Sequence, residues 1–283
     1  MRYSTLHFSL LLLLLAGLIV MVACGGSSTY DAADDASHTD PVAEEVVEEA
    51  IVLTPYSDST AFAGASLSLE SPAAGATVPS GAVSFDFTVE GYELGIQTAD
   101  AEGKGLANST QGQHIHLIID NGPYSAHYEA DFEHEVKDGH HVALAFLSRS
   151  YHESVKEADA AVVFDFTVGD GEGEQKAFDA AAPHLFYSRP KGTYTGADTE
   201  KLMLDFYLLN TDLAPDGSHV RATIHGTEFV ITEWTPHVIE GLPMGNIEIR
   251  LELIDVDGNP IPGPFNDVTR TVTLQAEAPA DDP

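Results

Sequence analysis

Two series of short segments, each alternating apolar and polar residues with period two, leave this chain little freedom in how it can fold. The first series runs through Leu67 and Leu69, then Val83, Phe85, Phe87 and Val89, then Ile115, Leu117 and Ile119. It continues with Val142, Leu144 and Phe146 and closes on Val162, Phe164, Phe166 and Val168. The pattern then restarts. Leu202, Leu204, Phe206 and Leu208 match the Val83 segment, and Val220, Ala222 and Ile224 match the Ile115 segment. Ile247, Ile249, Leu251 and Leu253 match the Val142 segment, and Val268, Val272 and Leu274 match the closing one. Successive strand side chains face opposite ways, so alternation buries one face and leaves the other outward. Short alternating strands separated by turn residues, as at Pro79-Ser80-Gly81, predict an antiparallel sandwich. No stretch of adequate length carries a helical apolar stripe. The chain is therefore expected to be all-β, with two tandem immunoglobulin-like antiparallel β-sandwich domains at residues 61–170 and 183–276. A linker at 171–182 joins them, and a tail at 277–283 follows.

The N-terminus reads as an export signal. Met1-Arg2 precedes an apolar run from Phe8 to Ala23, and Cys24-Gly25-Gly26 follows. The run is shorter than a spanning helix needs. Cys24 is the chain's single cysteine, so no internal disulfide can form. Its place directly after Met21-Val22-Ala23 looks like a bacterial lipoprotein cleavage box. Residues 1–23 are expected to be the signal peptide, with lipidated Cys24 as the membrane attachment. Residues 24–60 carry eight acidic side chains between Asp31 and Glu49 with no basic one, and are expected to be a flexible acidic tether. The expected location is the cell envelope, lipid-anchored at the outer membrane or the periplasmic face.

Charge narrows the partners. The chain holds 45 Asp and Glu against 12 Lys and Arg, a net charge of -33. Such a surface repels phosphodiester backbones, so no nucleic-acid partner is expected, and it attracts cations. High acidity also serves solubility alone.

Histidine is distributed unevenly between the repeats. Seven of the 13 histidines fall between His114 and His152 in the first copy. Gly112-Gln-His-Ile-His116 corresponds to Gly217-Ser-His-Val-Arg221, so where one copy has His114 and His116 the other has His219 and Arg221. With Ile115, Leu117 and Ile119 inward, His114 and His116 share the opposite face, about 7 Å apart along the strand. Two imidazoles so placed can converge on one ion, and neutral imidazole suits copper or zinc. His141 and His152, at the start and just beyond the end of the Val142 strand, are expected to complete a site of His114, His116, His141 and His152. An alternative role for the same rings is hydrogen bonding on an exposed strand face. His127 and His134 are expected in a surface loop.

Other motifs carry less chemistry. Asp255-Val-Asp257-Gly-Asn259 spaces oxygens like a calcium loop but lacks the distal Glu, so a hairpin turn is expected there. Trp234 is expected to plug an end of the second sandwich. There is no Gly-x-Ser-x-Gly elbow or Ser-x-x-Lys, and no catalytic residues are expected; the protein is not read as an enzyme.

Several longer motifs remain: Tyr92-Glu-Leu-Gly-Ile-Gln-Thr98, Lys104-Gly-Leu-Ala-Asn108, Gly112–His116, Asp120-Asn-Gly-Pro-Tyr-Ser-Ala-His-Tyr128 and Leu147–Lys156, with Tyr187–Gly192 and Glu233–Pro236 in the second copy. Across these the chain resembles a family of secreted bacterial tandem Ig-like lipoproteins that are catalogued as phosphopeptide-binding and functionally uncharacterised. The resemblance implies an anion site, for which the available donors are Arg149, Lys156, Arg189 and Lys191. The competing role for these residues is to pair with carboxylates and staple the two domains together. The expected function is thus a lipid-anchored envelope protein with a His-lined ligand site, copper or zinc being the sharpest version. The alternatives are phosphopeptide or anion binding at Arg149 and Arg189, or a structural cell-surface role with a protein or peptide partner.

Overall fold

A computed structural model describes residues 50–57, 59–171 and 178–277 of the 283. Cys24, the signal segment, most of the tether and much of the linker lie outside the described residues. No α-helix occurs among those described, and the strands form four sheets.

The first sandwich opposes a three-stranded sheet to a five-stranded one. β2 (Ser66–Ser71), β4 (Gly81–Glu90) and β7 (Asp131–Val136) lie in that order. Facing them are β3 (Ala76–Val78), β9 (Ala161–Val168), β8 (Gly139–Ser148), β5 (His114–Ile119) and β6 (Ser125–His127). All pairings are antiparallel except β3 with β9. The second sandwich repeats this plan. β15 (His237–Glu240), β12 (Leu202–Leu209) and β10 (His184–Arg189) form one sheet; β11 (Thr193–Thr195), β17 (Asp267–Gln275), β16 (Gly245–Ile254), β13 (His219–Ile224) and β14 (Thr227–Ile231) form the other. Again only the short strand, β11, runs parallel to its neighbour β17. This strand order, repeated in both copies, is the immunoglobulin-like arrangement the alternation predicts.

Each sandwich has its own core. Val83, Phe85 and Phe87 of β4 meet Ile115 and Leu117 of β5, with Phe164 and Phe166 of β9. In the second, Leu204 and Phe206 of β12 meet Val220 and Ala222 of β13, with Ile249 and Leu251 of β16.

Two features depart from the sequence expectation. The tether does not extend freely to residue 60: β1 (Val52–Pro55) pairs antiparallel with β15, adding an edge strand to the second sandwich before the first has begun. Its backbone hydrogen-bonding groups outweigh the polar flanking composition, because β15 offers an unpaired edge. The other feature concerns the Val142 strand. Val142, Leu144 and Phe146 do not face the core of their own sandwich. Ala143, Ala145 and Leu147 do, while Val142, Leu144 and Phe146 join Ile118 in a further core shared with Phe186 and Tyr207 of the second sandwich and Phe265. β5 and β8 are therefore covered on both faces. Each large apolar side chain fully buried there stabilises the domain pairing by about 2 kcal/mol.

Polar contacts fix the pairing. Asn121, in the loop after β5, donates from Nδ2 to the carbonyls of Leu185 (3.1 Å) and Phe265 (3.0 Å), and its Oδ1 accepts from Tyr187 N at 2.8 Å. It thereby satisfies the free edge of β10. Asn121 has φ 54, a left-handed conformation that Asn tolerates better than most residues. Trp234 lies over Tyr207, ring centres 5.0 Å apart, and its indole N–H donates to Phe206 O. Asp255 Oδ1 accepts from the amides of Asp257 and Asn259, closing the hairpin turn expected there.

Candidate metal centre

The covering of β5 decides the environment of its histidines. His114 and His116 project from the face that meets the second sandwich, and both are fully buried. β5 runs antiparallel to β8 with His114 opposite Ser148 and His116 opposite Phe146. That register brings the loop after β8 back over the pair. Ser148 and Ser154 bridge across this loop, and the amide of His152 donates to Arg149 O at 2.9 Å. His152 takes φ 68. A left-handed backbone at a residue other than Gly, Asn or Asp costs about 1 kcal/mol or more and is found where a side chain must be held in place. Here it turns the imidazole toward His114.

The three rings converge. His114 Nε2 lies 2.8 Å from His116 Nε2 and 3.2 Å from His152 Nδ1, and the three ligand atoms are all within 4.8 Å of one another. For a tetrahedral ion with metal–nitrogen bonds of about 2.0–2.1 Å, nitrogen ligands stand roughly 3.3 Å apart. Small ring movements reach that spacing. His114 Nδ1–H donates to the Gly112 carbonyl at 2.8 Å, which turns the bare Nε2 to the centre. His116 Nδ1 lies 3.4 Å from Ser188 Oγ of the second sandwich. Among the described residues no carboxylate or thiolate shares the cluster: the donor set is three imidazoles.

Electrostatics keep the set neutral. Burial lowers His114 to about 4, assisted by Arg189 and Lys191 and opposed by its bond to Gly112. Burial holds His116 well below the ordinary range, and the neighbouring imidazoles add to the effect. His152 is likewise pushed down, first by burial and then by Arg189. Rings that stay unprotonated at neutral pH present lone pairs without first releasing a proton.

Tyr124, also in the loop between β5 and β6, completes the surroundings. Its ring stacks on His116 with centres 3.6 Å apart, and its hydroxyl lies 3.4 Å from His152 Nδ1 and accepts from Arg189 Nη1 at 3.0 Å.

Other expected site residues lie elsewhere. His141 does not join the cluster. It sits seven residues before Ser148 on β8, roughly 23 Å along the strand from the residue opposite His114. There its Nδ1 meets Asp120 Oδ2 at 2.8 Å and its Nε2 donates to Lys137 O. The antiparallel register carries it to the far end of the sheet. His127 and His134 belong to strands rather than a loop, and His127 stacks on Phe132 at 3.4 Å.

The four basic residues do not form one anion site. Arg149 lies beside Glu153, Nε to Oε2 3.4 Å, under the ring of Phe62. Lys156 donates to Asp205 Oδ1 of the second sandwich at 2.6 Å and so staples the domains. Only Arg189 and Lys191 lie near the histidines. Tyr124, Asn121 and Arg270 were not singled out by the sequence. Ile118, apolar on the outward face of β5, was the available signal that this face is covered.

No family model and no curated protein matches the chain. Among solved structures it is similar to the fibronectin(III)-like modules of CbhA from Clostridium thermocellum, at 14% identity over 74% of this chain and 94% of that one, with a TM-score of 0.26. The central fibronectin-III array of RIM-binding protein follows at 11% identity, covering 77% and 71%, TM-score 0.24. A two-domain fibronectin type III segment of chicken tenascin has 10% identity, covering 74% and 98%, TM-score 0.20. The fold assignment rests on the strand order described above.

Proposed function

We propose that this is a metal-binding protein of the cell envelope, holding copper or zinc through His114 Nε2, His116 Nε2 and His152 Nδ1. The observation that carries the reading is the convergence of these three nitrogens, two of them on fully buried rings, within 4.8 Å. A set of three neutral imidazoles leaves one coordination position for a further ligand. Without metal, His114 Nε2 accepts from His116 Nε2–H. Ser188 Oγ would accept a proton held on His116 Nδ1, which would leave His116 Nε2 free to face an ion. Attachment to the membrane through lipidated Cys24 is part of the same proposal.

Equilibrium titration with copper(II) and zinc(II) tests it. Wild type is expected to bind one ion, and a His114→Ala/His116→Ala variant none at the same concentrations. Equal binding by both proteins would sink the reading. Mass spectrometry of the detergent-extracted protein tests the anchor: acyl chains on Cys24 are expected, and their loss in Cys24→Ser.

A further inference from the structure

Six of the ten basic residues among those described are neutralised. Lys104, Arg149, Lys156, Lys201, Arg221 and Arg250 each have a carboxylate partner. Lys137 has none among the described residues, and neither have Arg189, Lys191 and Arg270, which stand together. Their contacts are to neutral groups. Arg189 donates to Tyr124 Oη, and Lys191 Nζ donates to Tyr124 O at 2.6 Å with the ring centre 3.8 Å away. Arg270 donates to the carbonyls of Ser188, Asn121 and Gly122 and lies 4.4 Å from the ring centre of Tyr187. Carbonyls and aromatic faces solvate a cation without cancelling its charge.

Two of the three are also buried, and Lys191 is half-buried. Arg189 is 6% exposed and Arg270 9%. Arg189 Nε is enclosed with no hydrogen-bond partner. Burial pushes the Lys191 ammonium down to about 8, with Arg189 and Arg270 adding to the effect, and burial brings Arg270 down to about 10. Cations enclosed without a counter-charge carry an uncompensated cost of desolvation. A cleft of about 370 Å³ opens beside them, with Lys191 and Arg270 in its wall together with Asn121, Gly122 and Gly192.

We propose that this cleft binds a small oxyanion, which supplies the missing counter-charge to Lys191 and Arg270. Lys191 Nζ makes one hydrogen bond and retains further N–H donors for a ligand. Charge-assisted bonds from Lys and Arg are the usual means of holding phosphate, sulfate or carboxylate. Three adjacent positive charges favour a tetrahedral dianion over a carboxylate. The long-range field of a chain with net charge -33 opposes any anion, so binding depends on short contacts and on screening.

The test uses the full chain freed of metal by a chelator, so its result is independent of the histidine centre. Sodium sulfate and sodium acetate are titrated at fixed ionic strength made up with sodium chloride. Calorimetry and the amide resonances of Gly122 and Gly192 follow binding. Saturable binding is expected, tighter for sulfate, with shifts concentrated at those two glycines. Lys191→Gln is expected to weaken it by about tenfold or more, the loss of one charged hydrogen bond, and Lys191→Arg to retain it. If acetate binds tighter, the site takes carboxylates. Absence of saturation, shifts centred elsewhere, or unchanged affinity in Lys191→Gln would overturn the proposal. Should Lys191→Gln fail to fold, the location of the wild-type shifts still decides.

Discussion

Lys156 of the first sandwich and Asp205 of the second form a 2.6 Å ion pair in which the carboxylate side chain is only 1% exposed. Asp205 Oδ2 also accepts from the amide of Ser154. The pair holds the loop carrying His152 against β12. Lys156→Met is expected to leave a buried carboxylate uncompensated and to cost about 3 kcal/mol in urea unfolding. A change under 1 kcal/mol would mean that the pair is solvated in solution.

Asn121 has two separable roles: its amide satisfies β10, and its backbone takes φ 54. Asn121→Gly keeps the conformation but loses the amide, whereas Asn121→Ala loses both. The Gly variant is expected to be destabilised by about 2–3 kcal/mol, from Leu185 O, Phe265 O and Tyr187 N left without partners. The Ala variant is expected to lose roughly 1 kcal/mol more. Equal stability of wild type and Asn121→Gly would show that these bonds do not hold the domains together.

His116→Phe keeps a ring stacked on Tyr124 and removes a ligand. The metal-free variant is expected to stay within about 1.5 kcal/mol of wild type, as for a volume-conserving core exchange. Zinc at a hundredfold excess over its dissociation constant should stabilise wild type by about 2.7 kcal/mol. The variant should gain nothing. Equal zinc-induced shifts in melting temperature would locate the metal elsewhere.

Acidification should weaken the metal-free protein. His114 falls to about 4 in the native state, against an unfolded value of about 6.5. Between these pH values the unfolded chain binds the proton and the native one does not, so stability falls as pH drops through this window and is flat above it. His116, lowered further by burial, extends the loss to lower pH. Neutralisation of the many carboxylates relieves repulsion and blunts the slope. The difference between wild type and His116→Phe isolates it: wild type should lose ground to the variant from pH 7 to 4.5. A constant difference would contradict the burial of a neutral ring.

Metal and oxyanion should assist each other. Arg189 and Lys191 act on all three imidazoles, so they oppose a dication in the site. An anion beside Lys191 offsets that opposition. Zinc affinity is expected to rise several-fold in sulfate over chloride at equal ionic strength. Sulfate affinity should rise by the same factor with zinc bound. Equal zinc affinity in the two salts would show the sites to be independent.

The alternation made the two sandwiches legible, because strands buried on one face must repeat with period two. It also showed that His114 and His116 share a face. That this face is covered was legible only indirectly, in Ile118, an apolar residue on the side of β5 expected to meet water; Leu144 and Phe146 were expected in the core of their own sandwich. Contact between domains leaves no periodic signature of its own. The position of His141 depended on the register of β5 against β8, which the spacing of residues along one strand does not reveal. His219 and Arg221 show the contrast: in the second copy the corresponding position holds no imidazole pair, and Arg221 pairs across the sheet with Glu252 at 3.0 Å.

β1 gives the molecule an unusual load path. The strand that precedes the first sandwich lies along β15 of the second, and the last strand, β17, belongs to the second as well. In connectivity the first sandwich is thus an insertion within the second. A pull applied to the backbone ahead of Val52 would be borne first as shear along the β1–β15 ladder. The sandwich bearing the histidines would be shielded until that ladder failed.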